Sequence, residues 1–405
     1  DAGAGGNWSL NTNWSGDILP VDGDDVVIDT AFTVTLDVAS ANLKSLTIDN
    51  GGTLNCGANI LTVNDGLATG VTCNGTGTFN GGSGNHVISG GVSGTGTFNA
   101  GSGTVGITGD VDITTFNGDG STLTITGSVT NTNSTAFTSS SVSTEITVAF
   151  TATTFNAGNA ITKIGGDFTV ADANFTEGTG TIDFTGTGTI TNANTFNYLT
   201  LSGGTRTIGS GTVTVNGTFT QTGDLLIGNN TLDINAAPVF TSGTTTIADG
   251  VLDLQGAGNI TFSATTINVT GSGGINCTGN SFDMNGGSIS LGSGSLSCNG
   301  FSVSLAGTLN AGSGTITSNG DISITAGFTQ GTSIINMTGG NSLQATALNN
   351  LSISTGLIVN VTGGLTTNDL TITSGTLVTG DNSIIVNGDA VINGIFNSSG
   401  QTTLG

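Results

Sequence analysis

The stretch TFNAGSGTVGITGDVDITTFN, residues 97–117, begins and ends with the same tripeptide. Thr-Phe-Asn occurs again at residues 78–80, 154–156 and 195–197. Around these copies the chain alternates apolar and polar residues in short runs, such as TLTIT at 122–126, and Gly, Asn and Asp separate the runs. Alternation with a period of two, bounded by turn residues, predicts short β-strands.

Twelve phenylalanines mark this repeat along most of the chain. Successive members are 18 to 23 residues apart, and the average step is about 20 residues, from 222 residues over eleven steps. A unit of this size cannot bury its apolar face alone, whereas stacked units share a continuous core. The members are Phe79, Phe98, Phe116, Phe137, Phe155, Phe175, Phe196, Phe219, Phe240, Phe262, Phe282 and Phe301.

The repeat predicts an all-β chain folded as a single-stranded, right-handed parallel β-helix, or β-solenoid. At roughly 20 residues per coil, residues 31–405 would form about 18–19 coils in one elongated domain. Phe then stacks on Phe along the core, and the Asn that follows is expected in a left-handed turn position. The alternative is a β-sandwich in which the Phe spacing is accidental.

Residues 1–30 differ from the repeats and are called the head. They contain both tryptophans, Trp8 and Trp14, together with Pro20. An end coil exposes strand edges and apolar core, so solenoids need a cap. We expect the two tryptophans to cover the first coil; a sugar-binding aromatic pair is the alternative.

The composition excludes several classes of protein. Charged residues are 7% of the chain, against a typical ~25%, and Lys and Arg number only 3 against 26 acids, for a net charge of −23. Nucleic-acid binding needs more cations than this. No apolar run reaches the ~18 residues of a membrane-spanning helix, so membrane insertion is not expected. These features indicate an acidic protein that is secreted or displayed at the cell surface.

Four cysteines occur in two pairs. Cys56 and Cys73 are 17 residues apart, and Cys277 and Cys298 are 21 apart, which is about one coil in each case. Residues one coil apart have Cα atoms about 4.8 Å apart, within the range that a disulfide bridges. We therefore predict the disulfides Cys56–Cys73 and Cys277–Cys298, with free core thiols as the alternative.

Aspartates in the head raise the question of a cation site. Asp22, Asp24 and Asp25 are close in sequence, and carboxylates are ligands that Ca²⁺ prefers. A Ca²⁺ site at these three residues is therefore one interpretation. Solvated turn aspartates are the other, and no further cofactor is predicted.

The residue types of an enzyme site are scattered. Lys44, His86 and Lys163 are separated from one another by tens of residues, and Tyr198 and Arg206 lie further along the chain, eight residues apart. Lys163 and Arg206 are 43 residues apart, which is about two coils. Polysaccharide cleavage needs a paired acid and base. We therefore predict that the chain is not an enzyme.

The pattern of Asn-Trp at 7–8 and 13–14, GDDVVID at 23–29, VTLD at 34–37 and SLTI at 45–48 resembles the start of bacterial surface β-helix proteins. Filamentous-haemagglutinin-like adhesins and autotransporter passengers are the families concerned. The resemblance is one of repeat style, and it implies an extracellular location without implying a catalytic site.

Two functions follow as expectations. The strand-like run IIVNGDAVINGIFN, at 384–397, reaches almost to the last residue, and an uncapped strand edge is a template for another strand. Head-to-tail stacking of identical chains yields fibres, so the first expectation is a structural subunit of a surface fibre, sheath or surface layer. The second is a cell-surface adhesin, or its stalk, with glycans as partners.

Overall fold

The structure is a computed structural model that describes every residue except 1, 3, 4, 65, 67, 68, 132–135, 255, 257–259, 263, 305 and 355. It divides the chain into two compact units, Asp1–Thr200 and Leu201–Gly405. Both units consist of parallel sheets stacked as a β-solenoid, with about 19 turns in the chain. The all-β solenoid prediction and its number of coils are therefore confirmed, and the handedness stays a prediction.

The first unit is made of short strands. They are Gly6–Asn7, Asp25–Ile28, Thr33–Thr35, Asn42–Leu43, Ser45–Ile48, Thr53–Asn55, Thr62–Val63, Gly70–Cys73, Thr78–Asn80, His86–Ser89, Val92–Asn99, Thr104–Thr108, Val111–Asn117, Thr122–Ile125, Val129–Asn131, Ala136–Thr138, Ser143–Ile146, Phe150–Ala152, Phe155–Asn156, Ile161–Ile164, Phe168–Thr169, Phe175–Thr176, Thr181–Phe184, Gly188–Ile190, Thr195–Phe196 and Tyr198–Leu201, the last of which contains the division at 200/201.

The second unit continues the same design. Its strands are Thr205–Ile208, Thr212–Val215, Phe219–Gln221, Asp224–Gly228, Thr231–Ile234, Val239–Phe240, Thr244–Ile247, Val251–Asp253, Ile260–Phe262, Thr266–Val269, Gly274–Met284, Ser288–Ser290, Ser295–Val303, Thr308–Asn310, Thr315–Ser318, Ile322–Ile324, Phe328–Thr329, Ile334–Met337, Ser342–Gln344, Ala347–Ile353, Ile358–Val361, Leu365–Ile372, Thr376–Gly380, Ile384–Val386, Ala390–Ile392, Ile395–Ser398 and Thr402–Leu404.

Helical structure is limited to single turns. Among the described residues there are three 3₁₀ turns, at Asn11–Asn13, Ser15–Asp17 and Asp172–Asn174, and no α-helix. Within the same residues, no helix has the length and apolar character needed to cross a membrane.

The strands form because their residues alternate between the core and solvent. In Thr122–Ile125 the side chains of Leu123 and Ile125 are buried while the threonines face outward. Neighbouring coils pair in parallel, with like residues side by side, as in Thr97 with Thr115, Phe98 with Phe116 and Asn99 with Asn117. One coil therefore repeats the inward and outward pattern of the next.

The phenylalanine ladder of the first unit is a stack in strict register. Phe79, Phe98, Phe116 and Phe137 are successive partners, and their ring centroids are 4.4, 5.2 and 4.8 Å apart. Phe155 and Phe175 extend the same column. These contacts place a large apolar ring at the same position of six successive coils.

The ladder changes register in the second unit, where the expectation of one constant coil position is wrong. Phe240 lies opposite Gln221, and Phe282 lies opposite Ile260. Nevertheless the centroids of Phe240 and Phe262 are 5.0 Å apart, and those of Phe262 and Phe282 are 4.9 Å apart. A shift of two residues keeps a side chain on the same face of its strand, so the rings stay in the core.

The asparagines that follow Phe79, Phe98 and Phe116 have a different role from the one predicted. Asn80, Asn99 and Asn117 lie in strands and do not have positive φ values. Each donates through Nδ2 to the amide oxygen of the preceding coil's asparagine, at 2.8, 2.7 and 2.7 Å, beginning with Asn55. An amide both donates and accepts, so identical side chains can form a continuous hydrogen-bonded ladder.

The predicted boundary at residue 30 is a further point of comparison. The strand Asp25–Ile28 lies inside the head and pairs in parallel with Ser45–Ile48. Regular coil pairing is thus already present before residue 31. The division into a head at 1–30 and a solenoid at 31–405 stays a prediction.

Candidate functional site

The two tryptophans form the centre of the head. Their ring centroids are 4.7 Å apart with ring planes at 72°, and Trp14 Nε1 donates to Trp8 O at 2.8 Å. Both side chains are buried, and Trp8 N donates to Thr35 O at 2.7 Å. This arrangement favours the covering role, because neither ring presents a free face on which a sugar could stack.

The head aspartates are engaged separately. Asp22 and Asp24 each accept a hydrogen bond from a backbone N–H, at 2.8 and 2.9 Å. Asp25 Oδ2 lies 2.7 Å from Lys44 Nζ, and this hydrogen bond is the largest of the effects that lower the pKa of Asp25. Across the described ranges, no three His, Cys, Asp or Glu residues form a group that could hold a metal ion. The structure therefore does not assemble the predicted Ca²⁺ site.

The predicted Cys56–Cys73 disulfide is wrong in register. Cys73 lies opposite Ile48, while Cys56 N donates to Asn80 O at 2.9 Å. The local coil from Ile48 to Cys73 has 25 residues, so a separation of 17 does not return the chain to the same position. Both residues are buried free thiols, and burial raises the pKa of each to about 12.

Cys277 and Cys298 do lie directly opposite each other on neighbouring strands. They too are buried free thiols, so the structure has the predicted juxtaposition without the disulfide. A hydrogen bond with Cys298, together with burial, raises the pKa of Cys277. The pair fills the core at a position where two small polarizable side chains fit.

His86 is a buried part of the core. Leu61 N donates to its Nδ1 at 3.1 Å, and its Nε2 lies 2.8 Å from Gly81 O, so Nε2 carries the proton. The ring meets Phe79 edge to face, with centroids 5.5 Å apart. Burial lowers the pKa of His86, and the histidine is therefore neutral and structural.

Many aspartates connect neighbouring coils through their side chains. Each of these carboxylates accepts a hydrogen bond from a backbone N–H about one coil further along the chain. The pairs are Asp110 with Ser128 at 2.7 Å, Asp167 with Thr189 at 2.7 Å, Asp224 with Thr244 at 2.8 Å, Asp249 with Ser272 at 2.8 Å, and Asp321 with Asn341 at 2.8 Å. Much of the negative charge therefore has a structural use.

Among the described residues, the carboxylic acids Asp233 and Glu177 have a raised pKa. Burial and then the charge of Asp253, its partner on the next strand, raise the pKa of Asp233. Burial and then the charge of Asp172 raise the pKa of Glu177. Both shifts have the signs expected for desolvated, like-charged neighbours.

One surface brings charged residues of opposite sign together. On the outward side of the first unit, Glu145 lies opposite Lys163, and Lys163 lies opposite Asp183 on the next strand. We call these three residues the charged column. Successive members are one strand spacing apart, about 4.8 Å between backbones. Within the described part of the chain, no ion pair joins Lys163 to either carboxylate.

A groove of about 300 Å³ lies beside the charged column. Exposed Ile161 and Val142 form its apolar part. Thr122, Thr124 and Ser143 supply hydroxyl groups. The half-exposed Tyr198 begins the strand next to Thr181–Phe184 in the same sheet. This face therefore presents hydroxyl groups and two apolar side chains to the outside.

Sequence reasoning missed the charged column. Lys163 is 18 residues after Glu145 and 20 before Asp183, so the same one-coil spacing that revealed the phenylalanines also marks these charges. Lys163 and Arg206, which are about two coils apart in sequence, differ in their burial. Lys163 is exposed, whereas Arg206 is fully buried in the second unit.

Comparison with known proteins identifies one family. Residues 13–133 match the G8 domain, which is less than a third of the chain and ends before the charged column. G8 domains are found in extracellular proteins. No curated protein and no solved structure matches the chain. The domain match and the solenoid fold together fit, in broad terms, a surface β-helix repeat protein.

Proposed function

We propose that this chain is a non-enzymatic, extracellular structural protein, a subunit of a surface fibre, sheath or surface layer that assembles by end-to-end stacking. The solenoid fold and the G8 domain match are compatible with an extracellular structural or adhesin-like protein. The use of many carboxylates as acceptors between coils supports a structural role over a catalytic one.

The observation that carries the proposal is the edge formed by Ala390–Ile392, Ile395–Ser398 and Thr402–Leu404. Within the described residues each of these strands pairs with one neighbour. Apolar side chains are exposed there, with Val391 at 48% and Ile395 at 61%. In the 405-residue chain, such an edge can accept a further parallel strand through the same contacts that join the coils.

The head offers an apolar counterpart on a second copy. Ile18 is 71% exposed and Val21 is 58% exposed. A contact between the edge of one copy and the head of the next is heterologous, and contacts of that kind propagate into fibres.

The proposal is tested with the 405-residue chain and two matched variants. Ile395→Lys places a charge on the edge. Ile358→Lys is the control, because Ile358 is 53% exposed but its strand, Ile358–Val361, has neighbours on both sides. We expect concentration-dependent rods or fibres for the parent and for the control, measured by sedimentation velocity and electron microscopy, and their loss in Ile395→Lys. A parent chain that stays monomeric across concentration and salt would overturn the proposal.

A further inference from the structure

We infer that the charged column is a lateral contact surface, on which a second copy of this chain binds face to face in the antiparallel sense. This inference concerns the sides of the molecule, and it goes beyond end-to-end stacking. It rests on the order of charges in the charged column and on the absence of an ion pair within it.

Symmetry decides the orientation. If two copies meet with their columns running in the same direction, a twofold axis places Glu145 against Glu145 and Lys163 against Lys163. If the columns run in opposite directions about a twofold axis that passes between Glu145 and Lys163, Lys163 of each copy lies against Glu145 of the other. Moving that axis by one strand, to a position between Lys163 and Asp183, places Lys163 against Asp183 instead. Of the two twofold arrangements, only the antiparallel one pairs opposite charges, and it does so when the axis passes between two neighbouring members of the column. Closed pairs of this kind are self-complementary.

The charge balance of the surface also favours self-association there. The whole chain carries −23, which opposes association, but the charged column contributes only one net negative charge from three residues. Charges further away than the Debye length of about 8 Å are largely screened at physiological salt. The contact therefore experiences mainly its own charges.

The side chains around the column suit a flat contact. Ile161 and Val142 are exposed apolar groups, and Thr122, Thr124 and Ser143 are small polar ones. The five strands from Thr122–Ile125 to Tyr198–Leu201 present about 250 Å² of flat area, by strand spacing and length. This is well below the ~800 Å² that each partner of a standard interface buries. One pair of faces is therefore weak, and repetition along a filament strengthens it.

Two variants whose charged columns carry opposite charge test the inference. Both are made in the Ile395→Lys background, which disables the edge contact of the proposed function. Lys163→Glu makes the charged column entirely acidic. The double variant Glu145→Lys, Asp183→Lys makes it entirely basic and changes the net charge by four units. Asp112→Lys is the control, because Asp112 is exposed on a different sheet, in Val111–Asn117.

We expect dimers at high concentration and low salt for the background chain and for the Asp112→Lys control. Each altered column alone should dimerise at least about tenfold more weakly, since like charges then face each other. An equimolar mixture of the acidic and basic columns should form a one-to-one complex. That complex requires both variants to be folded, so it also controls for misfolding. Sedimentation velocity measures all of these states.

Zero-length carbodiimide cross-linking of mixed ¹⁴N and ¹⁵N chains traps weak pairs. The reagent joins a lysine amine to a carboxylate as an amide, and we expect isotopically mixed peptides linking Lys163 to Glu145 or Asp183. The inference would be overturned if every cross-linked peptide carried a single isotope and the background chain were monomeric. End-to-end stacking would be unaffected by that result. The inference would also be overturned if the variant with the basic column associated with itself as strongly as the background chain does. That result would follow from net charge alone. Conversely, lateral dimers from a parent that forms no fibres would overturn only the proposed function.

Discussion

His86 shows how one side chain is tied to a single protonation state. Its two ring nitrogens contact Leu61 N and Gly81 O, and its ring lies against Phe79. Protonation of Nδ1 would place two donors against each other inside the core. The fold therefore selects the neutral ring and disfavours the charged one.

The lowered pKa of His86 predicts acid sensitivity. Above pH ~6.5 the ring is neutral in both the folded and the unfolded state. Below that pH the unfolded state binds a proton that the folded state does not, so stability falls as the pH falls, until the folded pKa is reached. The loss is at most about 1.4 kcal/mol for each pH unit.

Urea unfolding at pH 7.5 and pH 5.5 measures this effect. His86 is the one histidine of the chain, so His86→Asn removes its contribution entirely. We expect the variant to be less stable at pH 7.5 and to lose less stability on acidification than the parent. Equal losses in the two proteins would show that His86 does not control the slope.

Between neighbouring strands, the asparagine ladder stabilises the stacking of coils through side-chain hydrogen bonds that all run in the same direction. Asn99 donates to Asn80 and accepts from Asn117, and its side chain is half-buried. Asn99→Asp removes the donor and places a carboxylate against the amide oxygen of Asn80. We expect a loss of about 1–3 kcal/mol in the free energy of unfolding, which is the cost of an unmade buried hydrogen bond.

Asn310→Asp is the matched control for the ladder. The Asn310 side chain is exposed, and its Oδ1 accepts from Gly312 N at 3.1 Å, which an aspartate can also do. We expect a change below about 0.5 kcal/mol there. Similar losses at both positions, measured by urea unfolding, would contradict a special role for the ladder.

Glycine at this scale permits close stacking of turns. Gly91 has a φ of +90°, and a Cβ there would collide with the carbonyl oxygen of Asp110 on the next coil. A larger residue would have to move one coil away from the other. The high glycine content therefore follows from turns that lie directly above one another.

Element type and core were predictable because they depend on local pattern. Period-two alternation predicted the strands, and the phenylalanine steps predicted stacked coils. The disulfide at Cys56 and Cys73 failed because coil length varies along the chain, so a fixed step does not give register. The turn prediction for Asn99 failed because side-chain amides of neighbouring coils bond to each other, which a single coil does not reveal.

The charged column was within reach of the sequence and was missed for a different reason. Lys163 is isolated along the chain, and only folding into coils brings it beside Glu145 and Asp183. Spacing analysis applied to charged residues, as well as to phenylalanines, would have identified it. Whether its side chains form ion pairs within one molecule depends on rotamers, which no spacing rule gives.

For the whole molecule, scarcity of cations predicts resistance to trypsin. The three cleavage sites are Lys44, Lys163 and Arg206. Lys163 lies within a strand that is paired on both sides, Arg206 is fully buried, and Lys44 N donates to Asp24 O at 2.9 Å. Cleavage needs a locally unfolded segment, so digestion of the folded chain is limited by opening.

We expect the intact chain to persist through an overnight digestion that cleaves the urea-unfolded chain within minutes, as measured by gel electrophoresis. The unfolded sample is the control for access to the three sites. Rapid cleavage of the folded chain at Lys163 would contradict the paired position of its strand.

Because each coil contacts its nearest neighbours, the arrangement of coils also determines which insertions and deletions the fold can accommodate. Phe98, Phe116 and Phe137 occupy the same place in three successive coils, so deletion of one whole coil between Phe98 and Phe137 would bring two matching coils together. Insertion of one coil would be equally compatible. Recombination between similar repeats is then expected to yield folded length variants that differ by whole coils, whereas deletions of other lengths shift every later residue out of register.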